Sequence, residues 1–185
     1  MLQTLAPADL IAAATIVDAA LRPVSDCDWS VRAGPLEWDV EQTVTHMLAA
    51  TAKYTLYLAS RCEHFIALSA IRWPGATNEE VIDSVVPVAT GLASVAANTP
   101  PGVRGFHVTG PSSAADYVGR ACVELLVHTD DALSGLGVVF TPPADLCRKV
   151  LAQCYPDAAG HGPRGPGDAW GGLLAVTGRP PTAVR

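Results

Sequence analysis

Apolar and polar positions in this chain recur with the period of an α-helix over most of its length. Leu10, Ile11, Ala14, Val17 and Leu21 keep that spacing and Pro7 suits a first turn, so a helix is expected from Pro7 to Leu21, closed by Arg22 and Pro23. The mixture of Trp, Gly, Pro and Asp from Val24 to Glu37 reads as a loop. Asp39, with Gln42 three residues on, is an N-cap signature for a second helix reaching about Leu68; Val40, Val44, Met47, Leu48, Thr51, Tyr54, Leu58 and Phe65 mark its buried side. Thr77 and Glu80 repeat the signature and open a helix to about Ala97, ahead of Asn98, Pro100 and Pro101. The Gly- and Pro-rich segment Thr99 to Gly110 reads as a crossover or lid. Ser112 or Ser113 then caps a long helix to about Leu133, ended by Gly135. A fifth helix is expected from Pro142 to Cys154, followed by a Gly/Pro tail (Pro156 to Gly167) and a short helix from Asp168 to Thr177, closed by Gly178 and Pro180. Strand alternation never lasts more than a few residues, and no repeat or heptad series is present. The chain therefore reads as all-α: a four-helix bundle with short extra C-terminal helices over one end, residues 1–185 forming a single helical domain.

Length and composition agree with that architecture. A chain of 185 residues, 49% apolar and 16% charged, can bury a core without disulfides. Its net charge of -6, with two Lys and scattered Arg, argues against a nucleic-acid partner. The first twenty residues contain Asp9 and Asp18 and lack a basic start, so they do not read as a secretory signal, and no apolar run is expected to span a membrane. The five cysteines, Cys27, Cys62, Cys122, Cys147 and Cys154, are odd in number and lack C-x-x-C pairing; they read as packing thiols of a reducing, cytoplasmic compartment. An oligomer is possible.

One segment carries chemistry. Glu124 and His128 stand four residues apart among Val, Leu and Leu, and on a helix they share a face. His46 occupies the other strongly helical segment with a centrally placed His. A buried His or Glu is as often a satisfied core polar group as a ligand. A Glu among aliphatic residues, however, is rarely buried unless paired or bound to a metal. Three such ligands leave a fourth position open, the arrangement of a catalytic rather than a structural zinc. Cys122, two positions before Glu124, points to the opposite side of the helix.

At these residues the chain resembles the DinB-like metalloenzyme superfamily and, within it, the N-terminal domain family of the mycothiol-dependent maleylpyruvate isomerases. The stretches that carry the resemblance are CDWSV from Cys27, LEWDVEQTVTHMLA from Leu36, ELLVHTDDAL from Glu124 and DAWGGLLAVTGRP from Asp168. The resemblance implies that His46, Glu124 and His128 ligate a divalent metal, usually zinc, with water or a thiol at the open place. It sets Asp131 at the aspartate of an H-x-x-D motif, either an acceptor that fixes a ligand His or a helix cap, and it gives Arg179 a structural role. Characterised isomerases of the family carry a further C-terminal domain, whereas this chain is expected to consist of the metal domain.

Around the candidate site, Gln42, Thr43, Ala49 and Ala50 flank His46, and the small residues leave room for substrate. Trp38 could wall a pocket, although a core or interface position is the commoner fate. Arg120 and Tyr117, one and two turns before Glu124, could meet an anionic group, although a solvated Arg is commoner. His64, eighteen residues along the same helix from His46, lies too far up the axis to join it, about 27 Å at 1.5 Å per residue. His107 and His161 fall in Gly/Pro segments and are expected at the surface, or as lid groups.

The function expected is that of a zinc-dependent enzyme that activates a low-molecular-weight thiol, such as mycothiol, for S-transfer to an electrophilic small metabolite. A thiol-independent, metal-dependent isomerase or lyase is the rival, and a noncatalytic metal-binding bundle the third reading. No individual catalytic residue beyond the ligands stands out.

Overall fold

A computed structural model describes residues 5–67, 72–158 and 168–179. Within them the chain is helical: α1 (Pro7–Leu21), α2 (Val40–Ser60), α3 (Asn78–Ile82), α4 (Val85–Ala97), α5 (Ala114–Gly135), α6 (Ala144–Cys154) and α7 (Ala169–Val176). Pairing of extended backbone among the described residues is limited to two isolated bridges, Arg32 with Asp39 and Gly105 with Ser112. The fold is an all-α bundle in which α1 packs on α4 and α5, and α2 packs on the same two helices from the other side. Leu10, Val17, Val44, Met47, Leu92, Leu125 and Leu126 fill the space between them, all without solvent exposure. Helix α6 lies against α5 and α7, covering one part of the bundle as the sequence pattern implies.

The helix starts follow the capping chemistry. The Asp39 carboxylate accepts from Gln42 N at 2.7 Å while the Gln42 side chain accepts from Asp39 N at 3.1 Å. Thr77 with Glu80 and Ser113 with Asp116 make the same reciprocal pair.

Two expected helices change. Helix α2 stops at Ser60, not near Leu68, because Arg61 takes the left-handed conformation (φ 52) and the Cys62 carbonyl accepts from Phe106 N at 2.7 Å instead of extending the helix. Phe65, read as buried helix, is 56% exposed beyond that reversal. The helix expected from Thr77 to Ala97 is two, broken at Asp83–Ser84. Pro87 explains the break: it has no N–H to donate four residues back, and its ring crowds the Asp83 carbonyl. Against expectation, the stretch Asn78–Ala97 is long and apolar enough to cross a membrane by length and mean hydropathy (1.4). In the fold Ile82, Val85, Ala89 and Leu92 of that stretch are buried in the bundle.

Candidate metal centre

The α2 and α5 interface brings His46 to face the Glu124 and His128 pair. His46 Nε2 lies 3.6 Å and His128 Nε2 3.3 Å from Glu124 Oε2. The two imidazole rings meet edge to face with centroids 5.2 Å apart. One ligand atom from each residue falls within 4.8 Å of the others, close enough to hold one metal ion. Glu124 and His128 are half-buried on the bundle side while His46 is more open, so the centre sits at the floor of a cavity reached from solvent.

The surrounding groups fix the donors. His128 Nδ1 donates to Asp131 Oδ2 at 3.0 Å, leaving Nε2 aimed at Glu124. Asp131 is fully buried and accepts a fork from Arg179, Nε to Oδ1 at 3.1 Å and Nη2 to Oδ2 at 2.6 Å. It therefore buttresses His128 and is not a helix cap. Arg179, just beyond α7, is structural in a specific sense: it anchors the C-terminal segment to the residue that holds His128. On the other carboxylate oxygen, Tyr54 OH donates to Glu124 Oε1 at 3.1 Å. This leaves Oε2 to the histidines.

Electrostatics follow from that geometry. Burial pushes the Glu124 carboxyl up, but hydrogen bonds from His128 and His46 outweigh it and hold the group well below the usual carboxylate range. Burial pushes His128 down, yet its bonds to Asp131 and Glu124 win and raise it to about 9. Both shifts favour the charged forms of Glu124 and His128, which lie 3.3 Å apart.

The cavity above the centre has a volume of 720 Å³ and includes Trp38, His46, Lys53, Tyr54, His107 and Glu124 on its walls. Trp38 walls it instead of entering the core: the residue is 41% exposed and its ring centroid lies 4.7 Å from that of His46. Gln42, Ala49 and Ala50 also line it, whereas Thr43 turns into the core. His107 enters as a wall residue from a loop pinned by the Gly105–Ser112 bridge, and burial, then the Arg120 charge, pushes its pKa down. Gly105 is required there, since a Cβ would stand 2.7 Å from the Tyr57 carbonyl oxygen. Tyr117 and Arg120 brace the same loop: the fully buried Tyr117 donates to the Phe106 carbonyl at 2.5 Å, and Arg120 Nη2 donates to Thr109 Oγ1 at 2.9 Å. A second cavity of 630 Å³ adjoins it, sharing Thr45, Ala49 and Arg72.

Other expectations resolve differently. His64 is off the helix, past Arg61, and outside the cluster. His161 lies outside the described residues. All five cysteines are free thiols, but Cys27 is exposed in the loop before α2 and so is no packing residue. Cys122 points away from the site and is buried, which pushes its thiol up; burial likewise raises Cys147 to about 12 and Cys154 to about 11. The residues sequence reasoning missed, Tyr54 and Lys53, follow His46 by eight and seven positions. That stripe of polar groups on one face of α2 was the available signal.

A four-helix bundle with a His, Glu, His cluster converging from two facing helices defines the class of DinB-like helical domains with a potential metal centre. The chain belongs to the family of the mycothiol maleylpyruvate isomerase N-terminal domain, whose model matches residues 10–133. Comparison with curated proteins and with solved structures finds no match. The matched stretch contains His46, Glu124, His128 and Asp131 and stops short of Arg179.

Proposed function

We propose that this chain is a divalent-metal-dependent enzyme, most simply zinc-dependent, that activates a low-molecular-weight thiol such as mycothiol for S-transfer to an electrophilic small metabolite. The convergence of His46, Glu124 and His128 on one point at the floor of an open cavity carries the reading. The donor set suits such an ion: two imidazoles and a carboxylate supply three ligands of the kind found in catalytic zinc sites and leave a place for an incoming group. A bound ion would lower the pKa of a thiol in that place, so that the nucleophilic thiolate exists near neutral pH.

The chain's own residues do the rest. Asp131 keeps the Nδ1 proton of His128 engaged, so the Nε2 lone pair faces the centre. Tyr54 occupies Glu124 Oε1 and leaves one carboxylate oxygen for ligation. Trp38 and the His107 loop wall a volume large enough for a thiol and an electrophile together. The thiol proton would leave to solvent and the sulfur would add to the electrophilic carbon of an unsaturated bond, whose π electrons would shift to the neighbouring atom and take up a proton from solvent. The chain's own buried thiols, Cys122 and Cys147, are raised and do not serve. Residues 1–185 would act as one metal-binding domain, in the cytoplasm where such thiols are kept reduced.

The test is calorimetry on untagged protein of measured metal content. Thiol binding to the zinc form should release a proton near neutral pH, read from titrations in buffers of different ionisation enthalpy. Binding without proton release, or equally to metal-free protein, would refute thiol activation and turn the site toward Lewis-acid isomerisation of a carbonyl substrate, which the isomerase in the family's description also suits.

A further inference from the structure

The cavity holds one cation, Lys53, that has no carboxylate partner among the described residues. Lys53 is seven residues after His46 on α2, which returns it almost to the same helical face about 10 Å along the axis. Both residues line the same cavity. Lys53 is half-buried in the cavity wall, with Nζ 5.4 Å from the centre of the Phe65 ring.

The charges around it are already paired. Arg72, on the same wall, is neutralised by Glu41 at 2.8 Å. Lys149, the chain's other lysine, pairs with Asp9 at 2.7 Å. Among the described residues Lys53 makes no ion pair, and the remaining residues contain no Asp or Glu that could supply one. In a chain with eighteen acidic and twelve basic residues, this half-buried ammonium faces an aromatic ring instead of a carboxylate, which leaves its charge available to an anion entering the cavity.

We infer that Lys53 receives a carboxylate on a reactant whose reacting atom sits at His46, Glu124 and His128. The inference rests on the metal and thiol reading above and narrows its substrate class. The reactant carries a single negative charge several bonds from its reacting atom, joined by a short apolar or unsaturated link that passes Ala49 and Ala50. A lone ammonium, a point charge without the fork of an arginine, suits a monoanion rather than a phosphate dianion.

The experiment titrates the zinc-loaded full chain with ω-mercaptoalkanoates of increasing length and with the ω-mercaptoalkanols of equal length. The acid should bind about fivefold or more tightly than the alcohol once the chain bridges centre and lysine, with no advantage at shorter lengths. Lys53→Met should remove that advantage and leave alcohol binding unchanged, and Lys53→Arg should keep most of it. Equal binding of acid and alcohol at every length, or an advantage that survives Lys53→Met, overturns the inference. If no thiol of either kind binds, the thiol reading fails by itself. Hexanoate against hexanol on the metal-free chain then decides Lys53 alone: a preference lost in Lys53→Met supports the inference, and no preference overturns it. Hexanoate binding alongside 2-mercaptoethanol would assign the carboxylate to the electrophile, while competition would assign it to the thiol.

Discussion

Asp131→Asn tests the chain of contacts behind the metal centre. The substitution keeps shape and volume but replaces one acceptor oxygen by an NH2 group, and every partner of Asp131 is a donor. His128 Nδ1 at 3.0 Å and Arg179 Nη2 at 2.6 Å converge on Oδ2, and Arg179 Nε donates to Oδ1 at 3.1 Å. Burial pushes the Asp131 carboxyl up, but these two partners hold it below its ordinary value. The asparagine can satisfy His128 or part of Arg179, not both. Leaving a mostly buried guanidinium without its carboxylate costs about 3 kcal/mol or more. In a chain of this size that is a fall in Tm of roughly 6–12 °C. Loosening the His128 ring should also lower zinc affinity by about 10- to 100-fold.

Thermal melts of metal-free protein and zinc competition with a chromophoric chelator measure the two effects separately. The double variant Asp131→Asn with Arg179→Met sharpens the test. It removes the orphaned charge, so it should recover most of the lost stability but none of the lost zinc affinity. Asp131→Asn with unchanged melting and zinc affinity within about twofold of the parent would refute the reasoning, because a fully buried acceptor serving two donors cannot then be holding either.

Tyr54→Phe should leave the fold within about 1.5 kcal/mol of the parent but free Glu124 Oε1; a changed absorption spectrum of the cobalt-substituted protein checks it, and an identical spectrum counts against a positioning role. His128→Ala should lose stoichiometric zinc while circular dichroism keeps most of the helical signal, since the apolar core lies elsewhere in the bundle; global unfolding would make the centre structural. For metal-free protein the folded His128 pKa is raised from 6.5 to about 9, so its stabilisation, at most about 3 kcal/mol, is complete below pH 6.5 and disappears as pH rises through 9. Melts across that window should decline, and His128→Gln should flatten the decline. Zinc must displace the same proton, so its affinity should climb over the same range in competition titrations.

What the sequence made legible was angular. Glu124 and His128 four apart, and His46 on a second helix, are relations that helical period alone can express, as are the N-caps at Asp39, Thr77 and Ser113. The errors arose where a local backbone event overrode the period. Apolar spacing carried α2 on to Phe65, yet a left-handed Arg61 and the Phe106 amide reverse the chain four residues earlier. Pro87 acts on the residue four before it, so a capped, periodic stretch became two helices.

The deeper gap concerns groups that depend on each other across the fold. Asp131 could be read either as a cap or as a support for His128, because the residue that decides between them, Arg179, lies forty-eight positions away, in a segment with no helical phase in common with α5. Tyr54 belonged equally well to the core face or to the site face of α2, and only the approach of α5 gave its hydroxyl a carboxylate. Lys53 differs again, since its meaning comes from the acidic partner it does not have. Pairing every other charge on that wall is what isolates it, and such isolation exists only once the whole chain is folded.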